Sequence, residues 1–279
     1  MSNSNMKYIE LADTVINKLK NKTTKKSVEM KFKAGVPGIT ESKVGGMPFI
    51  PAGGAYPVDK KNGKKLYLLI QINFAEFPHL PDFPESGILQ IYIADDDMYG
   101  MDCMVGQVQE AWRILYYEDI SNPMSEEEIK NLMPEFDEDI MLPFENPGTT
   151  CAIEFEEHLM PISTGDYKFE KLFQEIMAEE LLANELMGEC WKYPKEFSKK
   201  IYEACDGFES RLGGYPGFTQ YDPRDEESDE ILLLQIDSFD VDGEWFLMWG
   251  DAGITNFFIK PEDLNNRNFT RVNYNWDCS

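Results

Sequence analysis

Nucleophilic and acid–base chemistry need a few side chains held close together, and this sequence offers few candidates. Its two histidines are His79, in the proline-rich stretch FPHLPDFP, and His158, at the end of an acidic strand-like stretch. There is no GxSxG elbow to present a serine, and neither HExxH nor a zinc-like spacing of Cys and His occurs. Five cysteines stand at positions 103, 151, 190, 205 and 278 with no CxxC pair, which reads as reduced thiols rather than a disulfide framework. No catalytic residue, metal or cofactor is assigned on these grounds.

Asp95-Asp96-Asp97 could attract a hard cation, since carboxylate clusters suit Ca²⁺ and Mg²⁺. Counted as a calcium loop from Asp95, however, the sequence places Tyr99 at position 5 and Gly106 at position 12, where oxygen ligands belong. A solvated turn is the expectation. Gly45-Gly46 and Gly53-Gly54 would let backbone approach a phosphate, but Pro48 and Pro51 remove the amide donors such a nest uses. Lys43 and Arg211 each stand two residues before a Gly-Gly pair, and together they could form an anion site. Gln71 and Gln235 lie inside apolar runs, where an unpaired amide costs about 1–3 kcal/mol, so each must find partners.

The elements that position these residues come in two sets. Ser42 to Pro48 (SKVGGMP) recurs as Ser210 to Pro216 (SRLGGYP), and Leu68 to Asn73 (LLIQIN) recurs as Leu232 to Asp237 (LLLQID). Gly87 to Asp95 (GILQIYIAD) resembles Gly243 to Asp251 (GEWFLMWGD) in its ends and apolar fill. Arg113 to Ser121 (RILYYEDIS) recurs as Arg271 to Ser279 (RVNYNWDCS), which repeats Arg113 and Asp119 as Arg271 and Asp277. Four blocks in one order indicate an internal duplication. Their β-branched and aromatic content, broken by Gly and Pro, predicts strands.

The expected fold is α+β and mainly β: two duplicated antiparallel β units packed about a pseudo-twofold axis, with flanking helices. The whole chain, 1–279, reads as one pseudo-symmetric domain with repeats at about 42–121 and 210–279. A mostly helical insert at about 122–209 separates them. Within that insert Ser125 and Glu128 have capping-box spacing, and Thr150 to Phe155 reads as a strand. The longest helix carries Phe169, Leu172, Phe173, Ile176, Leu181 and Leu182, and a shorter one begins at Pro194. Before the first repeat, residues 7–20 predict an amphipathic helix and residues 27–33 a half-buried strand. Between the two repeats, Lys43, Arg211, Gln71, Gln235, Asp95 and Asp251 would line a polar or anion-binding cleft.

The blocks SKVGGMPFIP, LLIQINFAEFPHLPDFPESGILQIYIADDD, RLGGYPGFTQYDPR and FTRVNYNWDCS resemble the YwqG-like family of bacterial proteins, a domain of unknown function. The resemblance implies a mainly β fold with internal duplication. It brings no activity and no site residues, and some relatives lie beside toxin and immunity genes.

Charge narrows the partners. The net charge is −25, which repels nucleic-acid backbones and anionic lipid. The 26 basic residues divide evenly, 13 of them within residues 1–65 against five acids, so a basic cap precedes an acidic body. Neither a secretory leader nor a bilayer-spanning run of about 20 apolar residues is present, which predicts a cytoplasmic protein. The functional expectation is a non-enzymatic interaction or immunity-type protein whose acidic surface meets a basic partner or toxin. The alternative is a small-molecule-binding protein or hydrolase using the polar cleft between repeats. Oligomeric state is left open.

Overall fold

The computed structural model describes residues 3–102, 108–137, 139–180 and 188–279. Cys103, Gly106, Leu181 and Leu182 lie outside the described residues.

A ten-stranded antiparallel sheet organises the chain, with β1 (Lys25–Ala34) and β6 (Thr150–Met160) paired at its centre. Outward from β6 run β2 (Lys43–Gly45), β3 (Tyr67–Asn73), β4 (Ile88–Ile93) and β5 (Trp112–Tyr117). Outward from β1 run β7 (Arg211–Gly213), β8 (Ile231–Asp237), β11 (Ile254–Ile259) and β12 (Asn273–Asp277). A separate hairpin, β9 (Phe239–Val241) and β10 (Glu244–Leu247), completes the strands.

One feature differs from the sequence reading. The strand beside β8 is β11, whereas Gly243–Asp251, matched in sequence to Gly87–Asp95, holds β10 and the turn after it, because Gly-bounded apolar runs are alike whichever strand they pair with. Among its described residues the 122–209 segment holds three α-helices and, as expected at Thr150, the strand β6, which lies at the centre of the sheet.

The sheet curls so that its ends meet. Trp112 of β5 packs against Tyr274 of β12 with ring centroids 5.2 Å apart, and Gln109 Nε2 donates to Phe269 O at 2.6 Å. The inner face holds the main apolar core, including Val28, Ile70, Ile91, Leu234, Phe257 and Trp249. On the outer face, α1 (Asn3–Thr23), α3 (Phe169–Glu180) and α4 (Lys195–Ala204) form a second cluster, with Leu19, Phe173 and Phe197 at its centre. α2 (Glu126–Leu132) starts at the predicted capping box, with Ser125 Oγ and Glu128 exchanging bonds, and buries Ile129 in a third cluster. No helix among the described residues is long and apolar enough to cross a membrane.

Several lysines of the basic cap meet carboxylates within the fold. Lys18 pairs with Glu179 at 2.7 Å and Glu180 at 2.5 Å, Lys26 with Glu157 at 2.6 Å, and Lys33 with Glu154 at 2.5 Å. These side chains are substantially exposed, so each pair contributes about 0–1 kcal/mol.

Candidate functional site

The residues singled out in the sequence gather into two groups rather than one cleft. In the first, Lys43 is register partner to Gln71 on β3, and Gln71 faces Gln90 on β4. Gln71 Oε1 accepts from Phe49 N at 2.8 Å and Gln90 Nε2 at 2.7 Å, while its Nε2 donates to Ile39 O at 2.9 Å and Glu41 O at 2.8 Å. In the second group Arg211 is partner to Gln235, which faces Asn256. Gln235 Oε1 accepts from Gly217 N at 2.8 Å and Asn256 Nδ2 at 2.9 Å, and its Nε2 donates to Gly207 O at 2.8 Å and Glu209 O at 2.7 Å. The demand for partners is met at both Gln71 and Gln235, whereas the buried Asn256 Oδ1 beside Gln235 has no partner.

Both cations are turned onto backbone, although the buried Arg211 Nε has no partner. Lys43 is 1% exposed and its Nζ donates to the carbonyls of Gly38 and Met47, and burial pushes its ammonium down to about 8. Arg211, 2% exposed, donates to the carbonyls of Gly207, Phe208 and Tyr215. Each binds the carbonyl four residues on, across a Gly-Gly pair whose φ angles are 66° and 73° in both halves. At Gly45 an added Cβ would stand 2.5 Å from Thr149 O, so the turn requires glycine. Three strand steps separate the cations, roughly 14 Å across the sheet at ~4.8 Å per step, with their donors aimed at backbone.

Asp95 accepts from Met141 N at 2.7 Å, and Asp96 Oδ1 accepts from Met98 N and Gly100 N at 3.0 and 2.8 Å, an Asx turn. Exposed Asp251 contributes its main-chain oxygen to Ser279 N at 3.4 Å. The repeated Arg and Asp positions do not pair with each other. Arg113 reaches Val58 O and Arg271 binds buried Asp263, while Asp119 accepts from Ser121 N and Asp277 accepts from Thr219 and Gln220. Of the histidines, His79 meets Glu85 at 3.3 Å and His158 meets Glu29 at 2.7 Å. Trp112 and Trp249 are core residues, and Trp245 is half exposed on the β9–β10 hairpin.

A cavity of about 1070 Å³ lies elsewhere, between the 220–230 segment and β12. Residues 222–230 (DPRDEESDE) hold six acids and one cation. That cation, Arg224, is withdrawn into the fold: its Nη2 lies 2.6 Å from Asp222 Oδ2 and 2.8 Å from Asp166 Oδ2, and its Nη1 donates to Glu230 O at 3.0 Å. The guanidinium stacks over Phe258 at 4.6 Å and Tyr167 at 4.9 Å. Glu230 anchors the other end of the segment, accepting from Asn273 Nδ2 of β12 at 2.5 Å. Between these anchors Asp225, Glu226, Glu227 and Asp229 are exposed. Lys260 reaches Asp229 at 3.4 Å. The cavity also takes in Trp276, Tyr274 and Tyr221, the last 73% exposed, with Met98 and Met101 at one end. Carboxylates above aromatic and thioether surfaces suit a cationic group with an apolar stem, as in lysine and arginine.

The sequence reading did not find this groove. The one available signal was the charge run at 222–230, which by itself reads as a solvated turn, and only the fold sets it against β12.

No curated protein matches the chain. A family model described as a domain of unknown function, DUF1963, matches residues 42–278, and the chain belongs to that family.

Proposed function

We propose that this is a non-enzymatic interaction protein that binds a basic protein segment in the groove between residues 220–230 and β12. The observation that carries this reading is the fate of Arg224. The charge run's sole cation is consumed by Asp166 and Asp222, leaving four exposed carboxylates on the groove's rim. A rim of four carboxylates and one lysine, Lys260 on Asp229, is net negative above an aromatic floor and favours a cationic partner. Inhibition of a basic toxin, an immunity-type role, is one form such binding takes. A cytoplasmic location belongs to the same reading, in keeping with the free Cys151, Cys190, Cys205 and Cys278.

The reading also treats the two halves of the sheet as copies of one unit about a pseudo-twofold axis between β1 and β6. In its favour are the matched glutamine networks, the matched Gly-Gly turns and the matched strand order. On this view the shared polar residues serve the fold of each copy, and binding falls to a feature the copies do not share.

Calorimetric titration with a short synthetic peptide of alternating lysine and valine tests the function. Neutralising the rim as D225N/E226Q/E227Q/D229N should weaken binding at least about tenfold, and raising salt should weaken binding to the wild type as well. Equal affinity of the two proteins would remove the groove from consideration.

A further inference from the structure

We infer that a second copy of this chain is one partner of the groove: in a two-fold dimer, the basic turn at residues 59–65 of each copy seats against the acidic rim of the other. This rests on the function proposed above and names an occupant for the same groove.

Residues 59–65 (DKKNGKK) carry four lysines, all exposed, on a turn closed by the bridge between Val58 and Lys65. The turn is ordered from within. Buried Asp59 accepts from Lys61 N at 2.7 Å and from Asn62 Nδ2 at 2.6 Å, Asp59 N donates to Lys64 O at 2.8 Å, and Gly63 takes the φ of 75° that the reversal needs. Its lysines are therefore presented at little further cost in backbone order. Lys61 meets Asp102 at 3.3 Å and Lys65 donates to Met133 O at 3.1 Å, but Lys60 and Lys64 pair with no carboxylate among the described residues.

The two patches are neighbours. Asp102, which holds Lys61, also lines the groove, so the basic turn stands at the groove's Met98–Asp102 end. A cationic patch beside an anionic one is self-complementary, because a half-turn about an axis between them sets each patch on its opposite in the other copy. Both contacts then form together and the assembly closes as a dimer. Tyr221, 73% exposed on the groove, supplies the aromatic surface that such a contact covers. The net charge of −25 opposes approach, but at physiological ionic strength unscreened attraction and repulsion reach only about 8 Å. Lysines laid on the rim consequently count for more than acids on the distant faces.

Sedimentation equilibrium of the full chain at about 0.15 M salt tests this. The wild type should dimerise, and the lysine–valine peptide should dissociate the dimer by taking its place in the groove. The rim variant D225N/E226Q/E227Q/D229N and the turn variant K60E/K64E should each lose at least about tenfold in dimer affinity. Mixed together, the two variants should associate more tightly than either alone, since one keeps an intact groove and the other an intact turn; that complementation also shows that both are folded. A monomeric wild type, a K60E/K64E variant that dimerises like the wild type, or a mixture no tighter than its components would overturn the dimer. In each of those cases, calorimetric binding of the peptide to the rim would leave the groove reading in place, and a peptide that fails to bind a monomeric chain would remove both.

Discussion

Replacing Arg224 with methionine is expected to destabilise the protein by about 3–5 kcal/mol, the usual cost of removing one partner from a buried ion group. Asp166 and Asp222 have side chains only 5% and 3% exposed, and both direct a carboxylate oxygen at Arg224 Nη2. Without the guanidinium they become buried charges with diminished compensation, and the ring of Phe258 loses the group stacked over it. The intact triad itself need not contribute that much, because desolvating its three charges offsets most of the attraction. The triple variant R224M/D166N/D222N should accordingly recover a large part of the loss. Urea unfolding of the three proteins measures both effects. A single-variant cost below about 1 kcal/mol would mean that water reaches these carboxylates and that the rim segment is not anchored as described.

Gln71→Leu and Gln235→Leu are expected to cost about 3–5 kcal/mol each. Each substitution strips partners from two carbonyls, one backbone N–H and one side-chain amide, at roughly 1–3 kcal/mol for a buried group left unsatisfied, partly relieved by local adjustment. For Gln71 these groups are Ile39 O, Glu41 O, Phe49 N–H and the Gln90 amide; for Gln235 they are Gly207 O, Glu209 O, Gly217 N–H and the Asn256 amide. Because the sets correspond one to one, the two variants should lose stability to within about 1 kcal/mol of each other. Urea midpoints with unchanged slopes would report this cleanly. A large loss in one half and almost none in the other would show that the networks do different jobs.

These two predictions also mark how far the sequence could be read. A glutamine amid leucines and isoleucines announces a buried amide, and its need for partners follows from desolvation alone, so the Gln71 and Gln235 networks were foreseeable in kind. The Ser125–Glu128 box and the Gly-Gly turns were legible for the same reason, since their chemistry is local. What failed was long range. Lys43 and Arg211 stand in like positions of two similar sequence blocks, but likeness is not proximity, and each folds back on the carbonyls of its own turn. The match of Gly87–Asp95 to Gly243–Asp251 missed β11, because apolar pattern carries no information about which strand lies next to β8. Nothing near Arg224 in sequence discloses that Asp166, 58 residues away, turns the run's only cation inward. That removal is what converts a mixed-charge turn into an acidic rim.

The account's central claim is the location of binding. Amide and indole NMR of the labelled protein, titrated with the lysine–valine peptide, tests it most directly. The account predicts perturbations concentrated at residues 222–230 and in β12, with the Trp276 indole among the most affected. Perturbations centred instead on α1, on α2 or on the β9–β10 hairpin, with 222–230 and β12 unmoved, would contradict it.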